Sequence, residues 1–183
     1  IQLAKKIGAT VYGTAGSDTF IYQGLYSNRD GEWTGDVKAY KVDENTGDVQ
    51  TNDSKWSAAA MLDSRTAERL IATFDGTAAG VPFRIENLTA SQKTALDANS
   101  AKAAEKVRYL RGEEITGSIT GSIYRSRSQK LGDIVNSAPV FLDGVIYAGG
   151  NDGMLHAFDA STGAEIFAYV PNLVFGNLKL DQG

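Results

Sequence analysis

The sequence predicts an all-β chain, a partial β-propeller of four-stranded antiparallel blades, with a short helical insertion around residues 89–111. Three observations predict it. Residues 1–75 carry short runs of Val, Ile, Tyr, Phe and Thr separated by Gly, Ser and Asp. Residues 138–170 hold four strand signals split by tight turns. Two segments of the chain also repeat each other. The expected organisation is one incomplete propeller domain over 1–183, with blade elements at 1–75, a helical insertion and Gly/Ser-rich connection at 76–130, and a well-patterned blade at 131–183.

In chain order, "GATVYG" and "DTFIYQGLY" have strand composition bounded by turn residues. "GDVKAYKVDENTGDV" alternates, so that Val37, Ala39 and Lys41 face one side and Lys38, Tyr40 and Val42 the other, with "ENTG" closing a turn. "ERLIATF" at 68–74 is a further strand signal. The middle changes character. Thr89 and Gln92 have capping-box spacing and start a helix from about 90 to 97. Ala103, Val107 and Leu110 give a second helix its apolar stripe, and Gly112 stands at its C-terminal end. "EEITGSITGSIYRSRSQ" reads as an exposed Gly/Ser-rich segment leading into extended chain. From 138 the β signal returns in "APVFLDGVIYAGG", where Asp143-Gly144 suits a type I′ hairpin because both residues must tolerate positive φ. "GMLHAF", the turn "DASTG" and "AEIFAYV" complete a meander of blade size.

The self-comparison aligns Gly35-Asp36-Val37-Lys38-Ala39-Tyr40 with Gly153-Met154-Leu155-His156-Ala157-Phe158, and Thr46-Gly47 with Thr162-Gly163. Each copy reads Gly, any residue, aliphatic, polar, Ala, aromatic, then a Thr-Gly turn. Blade repeats follow from this pairing.

Composition removes several function classes. The net charge of −4 gives no nucleic-acid footprint or polybasic membrane surface over the whole chain. Local excesses, acidic over 28–54 and basic over 99–130, read as solvated faces. The absence of cysteine excludes disulfides, thiolate nucleophiles and Cys-based zinc sites. No apolar run reaches the ~20 residues of a membrane span. The opening "IQLAKKIGATVYG" lacks a signal-peptide core and Ile1 is not an initiator Met, so the chain is expected to be a mature product or an excised piece.

The densest stretch of turn and acidic residues is "GGNDGMLHAFDASTG", from Gly149 to Gly163. A calcium loop with Gly153 at its sixth position would place Ala148 and Gly150 where acids are required. Asp43, Asn45 and Asp48 form a second acidic group without a Gly or distal Glu in register, and turn chemistry explains them. The glycines at 149–153 precede a strand, not the helix of a dinucleotide loop, and no Walker-type motif occurs. The single His, His156, reads as a polar residue on one face of a blade strand, and no G-x-S-x-G motif supports a triad. No catalytic, cofactor-binding or metal-ligating residue is assigned.

The run Arg125-Ser-Arg-Ser-Gln-Lys-Leu-Gly-Asp-Ile-Val-Asn-Ser-Ala-Pro-Val140, followed by Asn151-Asp-Gly-Met-Leu-His-Ala-Phe-Asp159, Thr162-Gly163 and Phe167-Ala-Tyr-Val-Pro171, resembles the C-terminal propeller of the PilY family. "GVPFRIENLTASQKTAL" and "VRYLRGEE" resemble the segment before this motif, so the likeness covers about residues 35 to 180. Its signature residues are Leu131, Gly132, Asp133, Asn136 and Pro139 in one half, and Asn151, Asp152, Gly153, Asp159 and Gly163 in the other.

The resemblance implies a non-enzymatic type IV pilus assembly and adhesion factor. It would act outside the cell or on the outer surface at the pilus tip, reached through the periplasm. Its implied partners are minor pilins and the pilus tip complex, a host or abiotic surface, and a second polypeptide that completes the propeller. It also implies Ca2+ in a later blade of the family's full-length proteins, whose Asp-rich loop has no match here. At ~40–45 residues per blade, 183 residues do not close a ring. The chain is therefore expected to be a fragment or one part of a split protein. Two alternatives stay open: a fragment of a quinoprotein (PQQ) propeller dehydrogenase, although Phe167 stands where its docking Trp would follow Thr162-Gly163, and a generic propeller scaffold.

Overall fold

The computed structural model describes residues 6–15, 18–29, 31–77, 79–118, 120–121 and 124–178. The chain divides into two compact units, one of residues 1–68 with 128–168 and one of residues 69–127 with 169–183. The structure is mostly β with a few helices, as an all-β class requires, and its described sheets are open.

The first unit begins with strands β1 (Lys6–Ala15), β2 (Asp18–Arg29), β3 (Glu32–Lys41) and β4 (Trp56–Ser57), hydrogen-bonded in that order and antiparallel. Register decides which side chains meet. Tyr22 lies opposite Ala39 and Gly24 opposite Val37. Because paired residues share a face, Tyr22, Val37 and Ala39 turn the same way, and all three are buried. Helix α1 (Ala58–Ser64) follows β4 directly, with the Ser57 hydroxyl accepting from Ala60 N at its start. This helix is not among the expected elements, because seven residues are too few to establish a 3.6-residue period.

The same unit contains β7 (Val140–Leu142), β8 (Val145–Gly149), β9 (Leu155–Asp159) and β10 (Glu165–Val170), the expected meander in chain order. Residues 169–170 at the end of β10 belong to the second unit. Asp143 and Gly144, with φ of 48° and 78°, form the predicted tight turn. Phe141, Ile146 and Phe158 face one another across β7, β8 and β9. They pack on Phe20, Tyr22, Val37, Ala39 and Trp56 in one apolar core. The Tyr22 and Phe141 rings stack at 5.8 Å with planes 5° apart. Fully burying each large side chain contributes about 1.5–3 kcal/mol, so this cluster holds the two sheets face to face.

The repeat seen in the sequence is a repeat of turn geometry. In Asp43–Gly47, Asp43 Oδ1 accepts from Asn45 N and Thr46 N, and Gly47 N donates to Asp43 O at 2.7 Å. In Asp159–Gly163, Asp159 Oδ1 accepts from Ser161 N and Thr162 N, and Gly163 N donates to Asp159 O at 2.8 Å. Thr46 Oγ1 accepts from Asp48 N as Thr162 Oγ1 does from Ala164 N. The side-chain bond from Ser161, with those from Thr162, holds the Asp159 carboxyl below the usual carboxylate range.

The second unit contains the hairpin β5 (Ile71–Phe74) and β6 (Gly80–Pro82), helices α2 (Ala90–Leu96) and α3 (Ser100–Leu110), and the chain after β10. The predicted strand at 68–74 is shortened at its start. The capping box forms as the spacing indicated: Gln92 N donates to Thr89 Oγ1, and Thr89 N to Gln92 Oε1. Gln92 Nε2 also donates to Phe74 O and Asn172 Oδ1, so the cap residue fastens α2 to two other segments. Ala103, Val107 and Leu110 are buried as their stripe implied, and Phe83 meets Phe175 edge-on at 5.8 Å. In the Gly/Ser-rich segment, exposed at Gly117 and Gly121 as expected, two described hydroxyls are held by a buried carboxylate. Ser118 Oγ and Thr120 Oγ1 both donate to Oε2 of the buried Glu105, at 2.5 and 2.6 Å.

Candidate functional site

The two halves of the signature meet in the first unit. Residues 131–139 form no strand; they run as an irregular strap between the first sheet and the second. Leu131 and Ile134 are buried in the shared core, where the alternating apolar pattern of a strand is not needed.

On the side of the first sheet, contact is at backbone range. A Cβ at Gly35 would lie 2.7 Å from Asp133 Cα and 2.9 Å from Ile134 N, distances that side chains do not reach. Gln129 Nε2 donates to Gly35 O at 2.5 Å, and Ser128 N to Glu32 Oε1 at 2.6 Å. Pro139 is buried against Gly24, where a Cβ would stand 3.2 Å from its ring.

On the other side the strap binds the loop 149–153. Gly132 N donates to Asp152 Oδ2, Asn151 N to Asp133 O, and Gly149 N to Ser137 Oγ. Asn151 Nδ2 reaches Asp133 Oδ2 at 2.5 Å. A Cβ at Gly132 would come within 2.6 Å of Asp152 N. Gly153 turns this loop with φ of 83°. Asn136 is exposed and makes none of these bonds.

Behind the loop lies His156, fully buried at 0% exposure. Its Nδ1 is 2.9 Å from Glu165 Oε1, and its Nε2 is 3.2 and 3.1 Å from the two oxygens of Asp152. Burial disfavours the charged ring, but the Asp152 and Glu165 carboxylates outweigh it and push the His156 pKa up to about 9. An imidazolium donates from both nitrogens, which matches two acceptors. His156 is thus more than the polar face residue expected. It ties the signature loop, through Asp152, to β10, through Glu165. The signal in the sequence was the acid four residues before a lone His on a strand of small and aromatic residues. The contribution of Glu165 depends on the 159–163 turn.

The last signature residues dock on the first sheet. Trp56 Nε1 and Tyr22 Oη both donate to Ala160 O, at 3.0 and 3.2 Å. A Cβ at Gly163 would lie 2.5 Å from the Trp56 ring. Burial, with the nearby Asp159 carboxylate, pushes the Tyr22 phenol up to about 12.

Chemically this arrangement is a junction. The His156 ring is enclosed with both nitrogens engaged, which leaves it no atom to offer a substrate. Among the described residues, no group of three or more His, Asp or Glu side chains could hold a metal ion. The residues do not fit the calcium loop implied for a later blade. Asp43 accepts from Asn45 N and Thr46 N, and Asp48 accepts from the Thr46 hydroxyl, so this acidic group is occupied in closing its own turn. Among the described residues no helix is long and apolar enough to cross a membrane.

No known family model and no solved structure matches the chain. Curated proteins do. The chain is 33% identical, in an alignment of 200 positions that covers 87% of its length, to "Type IV pilus biogenesis factor PilY1" of Pseudomonas aeruginosa strain UCBPP-PA14. It is 33% identical, in an alignment of 178 positions that covers 81% of the chain, to "Type IV pilus biogenesis factor PilY1 homolog" of Xylella fastidiosa strain Temecula1. Against PilY1 of P. aeruginosa strain PAK it is 28% identical over 87% of its length. The chain spans 17%, 14% and 17% of these three relatives respectively.

Proposed function

This chain belongs to the PilY family, and we propose from that membership that it is a structural segment of a type IV pilus biogenesis factor, non-enzymatic and exposed at the cell surface or pilus tip. The observation that carries the reading is similarity to PilY1 proteins over most of the chain, including a signature whose two halves meet in a junction between two sheets. Minor pilins are the proposed partners in assembly, and adhesion to a host or abiotic surface the proposed outcome. Calcium belongs, in this reading, to a later blade.

The blade interpretation is supported by the sense in which the sheets stack. The repeat equates Val37 and Ala39 with Leu155 and Ala157. Val37 and Ala39 are covered by the second sheet. Val140 lies on the same face as Ala157 through Tyr147, and on that face Leu155 and Val140 are 39% and 56% exposed. Like faces therefore point the same way, and another sheet of the same kind would cover the second as the second covers the first. Such head-to-tail repetition closes into a ring when its rotation permits. A second polypeptide or further chain would supply the remaining blades.

The test uses the full reading frame in the organism that carries it. Gly132→Val should abolish surface pili, and affinity capture of the wild-type product should recover minor pilins. Normal piliation with the gene deleted would sink the reading. Bound quinone in the purified protein would move it to the dehydrogenase alternative.

A further inference from the structure

We propose that the free edge of β1 is a self-association site, where β1 of a second copy of this chain pairs antiparallel about a two-fold axis at Tyr12 and joins the two first sheets into one. Among the described residues β1 stands at the end of its sheet and pairs with β2 alone. An edge strand offers a row of unpaired backbone N–H and C=O groups, and natural chains blunt such an edge with short length, charge, proline or a bulge. The strands β4 and β7, which also stand at sheet ends, have only two and three residues. By contrast β1 has ten, and its register irregularity falls near its start, between Ile7 and Ala9. From Ala9 to Ala15 it carries no charged residue and no proline. A backbone edge of this kind is satisfied by another strand.

The order of residues in β1 points to its own copy as that strand. Residues 9–15 read Ala-Thr-Val-Tyr-Gly-Thr-Ala, nearly the same in both directions about Tyr12. Antiparallel pairing of two copies at this centre sets Thr10 opposite the second copy's Thr14, Val11 opposite its Gly13, and Tyr12 opposite its own counterpart. The faces agree with this pairing. Thr10, Tyr12 and Thr14 share the face turned away from the core and are exposed, Tyr12 at 67%. Thr–Thr and aromatic–aromatic pairs are favoured cross-strand neighbours. Val11 and Ala15 turn the other way and pack, partly buried, on the core. Gly13 lies between them under the Phe141 ring, where a Cβ would stand 2.6 Å from the ring. The second copy's Val11 therefore occupies space beside a residue without a side chain, next to an apolar ring. Moving the centre to Val11 would set Tyr12 opposite Thr10 and two valines opposite each other, which ends both matches. Pairing about a two-fold axis is isologous, so association stops at the dimer.

The proposal does not rest on the pilus role, and its failure would leave that reading as it stands. The 183-residue chain should be followed by sedimentation equilibrium from ~1 to ~500 μM, with its mass doubling across that range, as a small edge-to-edge interface implies. Tyr12→Lys sets two ammonium groups opposite each other on an exposed face, so it should keep the wild-type circular dichroism and weaken the dimer about tenfold. An equimolar mixture of Tyr12→Lys and Tyr12→Glu should recover association, because the axis then holds opposite charges. Leu155→Lys, a charge on the exposed face of the second sheet, should leave the dimer unchanged. A wild type that stays monomeric throughout, a dimer indifferent to Tyr12→Lys, a mixture no better associated than Tyr12→Lys alone, or loss of the dimer in Leu155→Lys would each overturn the proposal.

Discussion

Raising the pH from 6.5 to 9.5 should remove a defined part of the first unit's stability. His156 is fully buried between Asp152 and Glu165, and its pKa stands near 9 against 6.5 in the unfolded chain. A group whose folded pKa is raised contributes its full stabilisation below the unfolded value and loses it as pH climbs through the folded value. The window is therefore about pH 6.5 to 9. At ~1.4 kcal/mol per pH unit the contribution is about 3 kcal/mol, a sizeable share of a domain stability of ~5–15 kcal/mol. With one His and no Cys in the chain, no other side chain has an ordinary pKa inside this window. Urea unfolding at half-unit steps from pH 5.5 to 10 should show a plateau, then a fall of about 1.4 kcal/mol per unit. His156→Gln should be less stable at pH 6.5 and lack most of the slope. A flat profile in the wild type, or the same slope in His156→Gln, would refute the reasoning.

Three further outcomes follow from the junction and the second unit. Gly35→Ala pushes a methyl into the backbone of the strap at Asp133 and Ile134, and should cost about 3 kcal/mol by urea unfolding. Trp56→Ala should cost about 3–5 kcal/mol, whereas Trp56→Phe, which keeps a ring but drops the bond to Ala160 O, should lose about 1–2 kcal/mol beyond any repacking. Glu105→Gln weakens the acceptor shared by Ser118 and Thr120, so limited proteolysis should cut between residues 114 and 121 faster than in the wild type at equal overall fold by circular dichroism.

What could be read in advance was what local chemistry decides. Asp143-Gly144 announced its hairpin because both positions need positive φ, and Thr89 with Gln92 announced a cap because the bonds close within one turn. The twin Thr-Gly turns were visible for the same reason. Helix α1 was missed, since seven residues flanked by strands give no period. The strap from Leu131 to Pro139 could be recognised as a motif but not understood, because its partners Gly35 and Asp152 are distant in sequence. The pairing of His156 with Glu165 likewise appears only after the intervening turn brings the start of β10 beside β9.

The glycine of β3 that lies against the strap carries an evolutionary consequence. At Gly35 the atoms a new side chain would strike are main-chain atoms, which every residue possesses. A clash between two side chains can be repaired by shrinking the neighbour; this one has no neighbour to shrink. No second-site change of residue type can rescue a substitution there without moving the strap itself. Drift at this position is therefore blocked one step at a time, whatever the protein binds. A motif can in this way mark a lineage through geometry alone, without any atom of it touching a ligand.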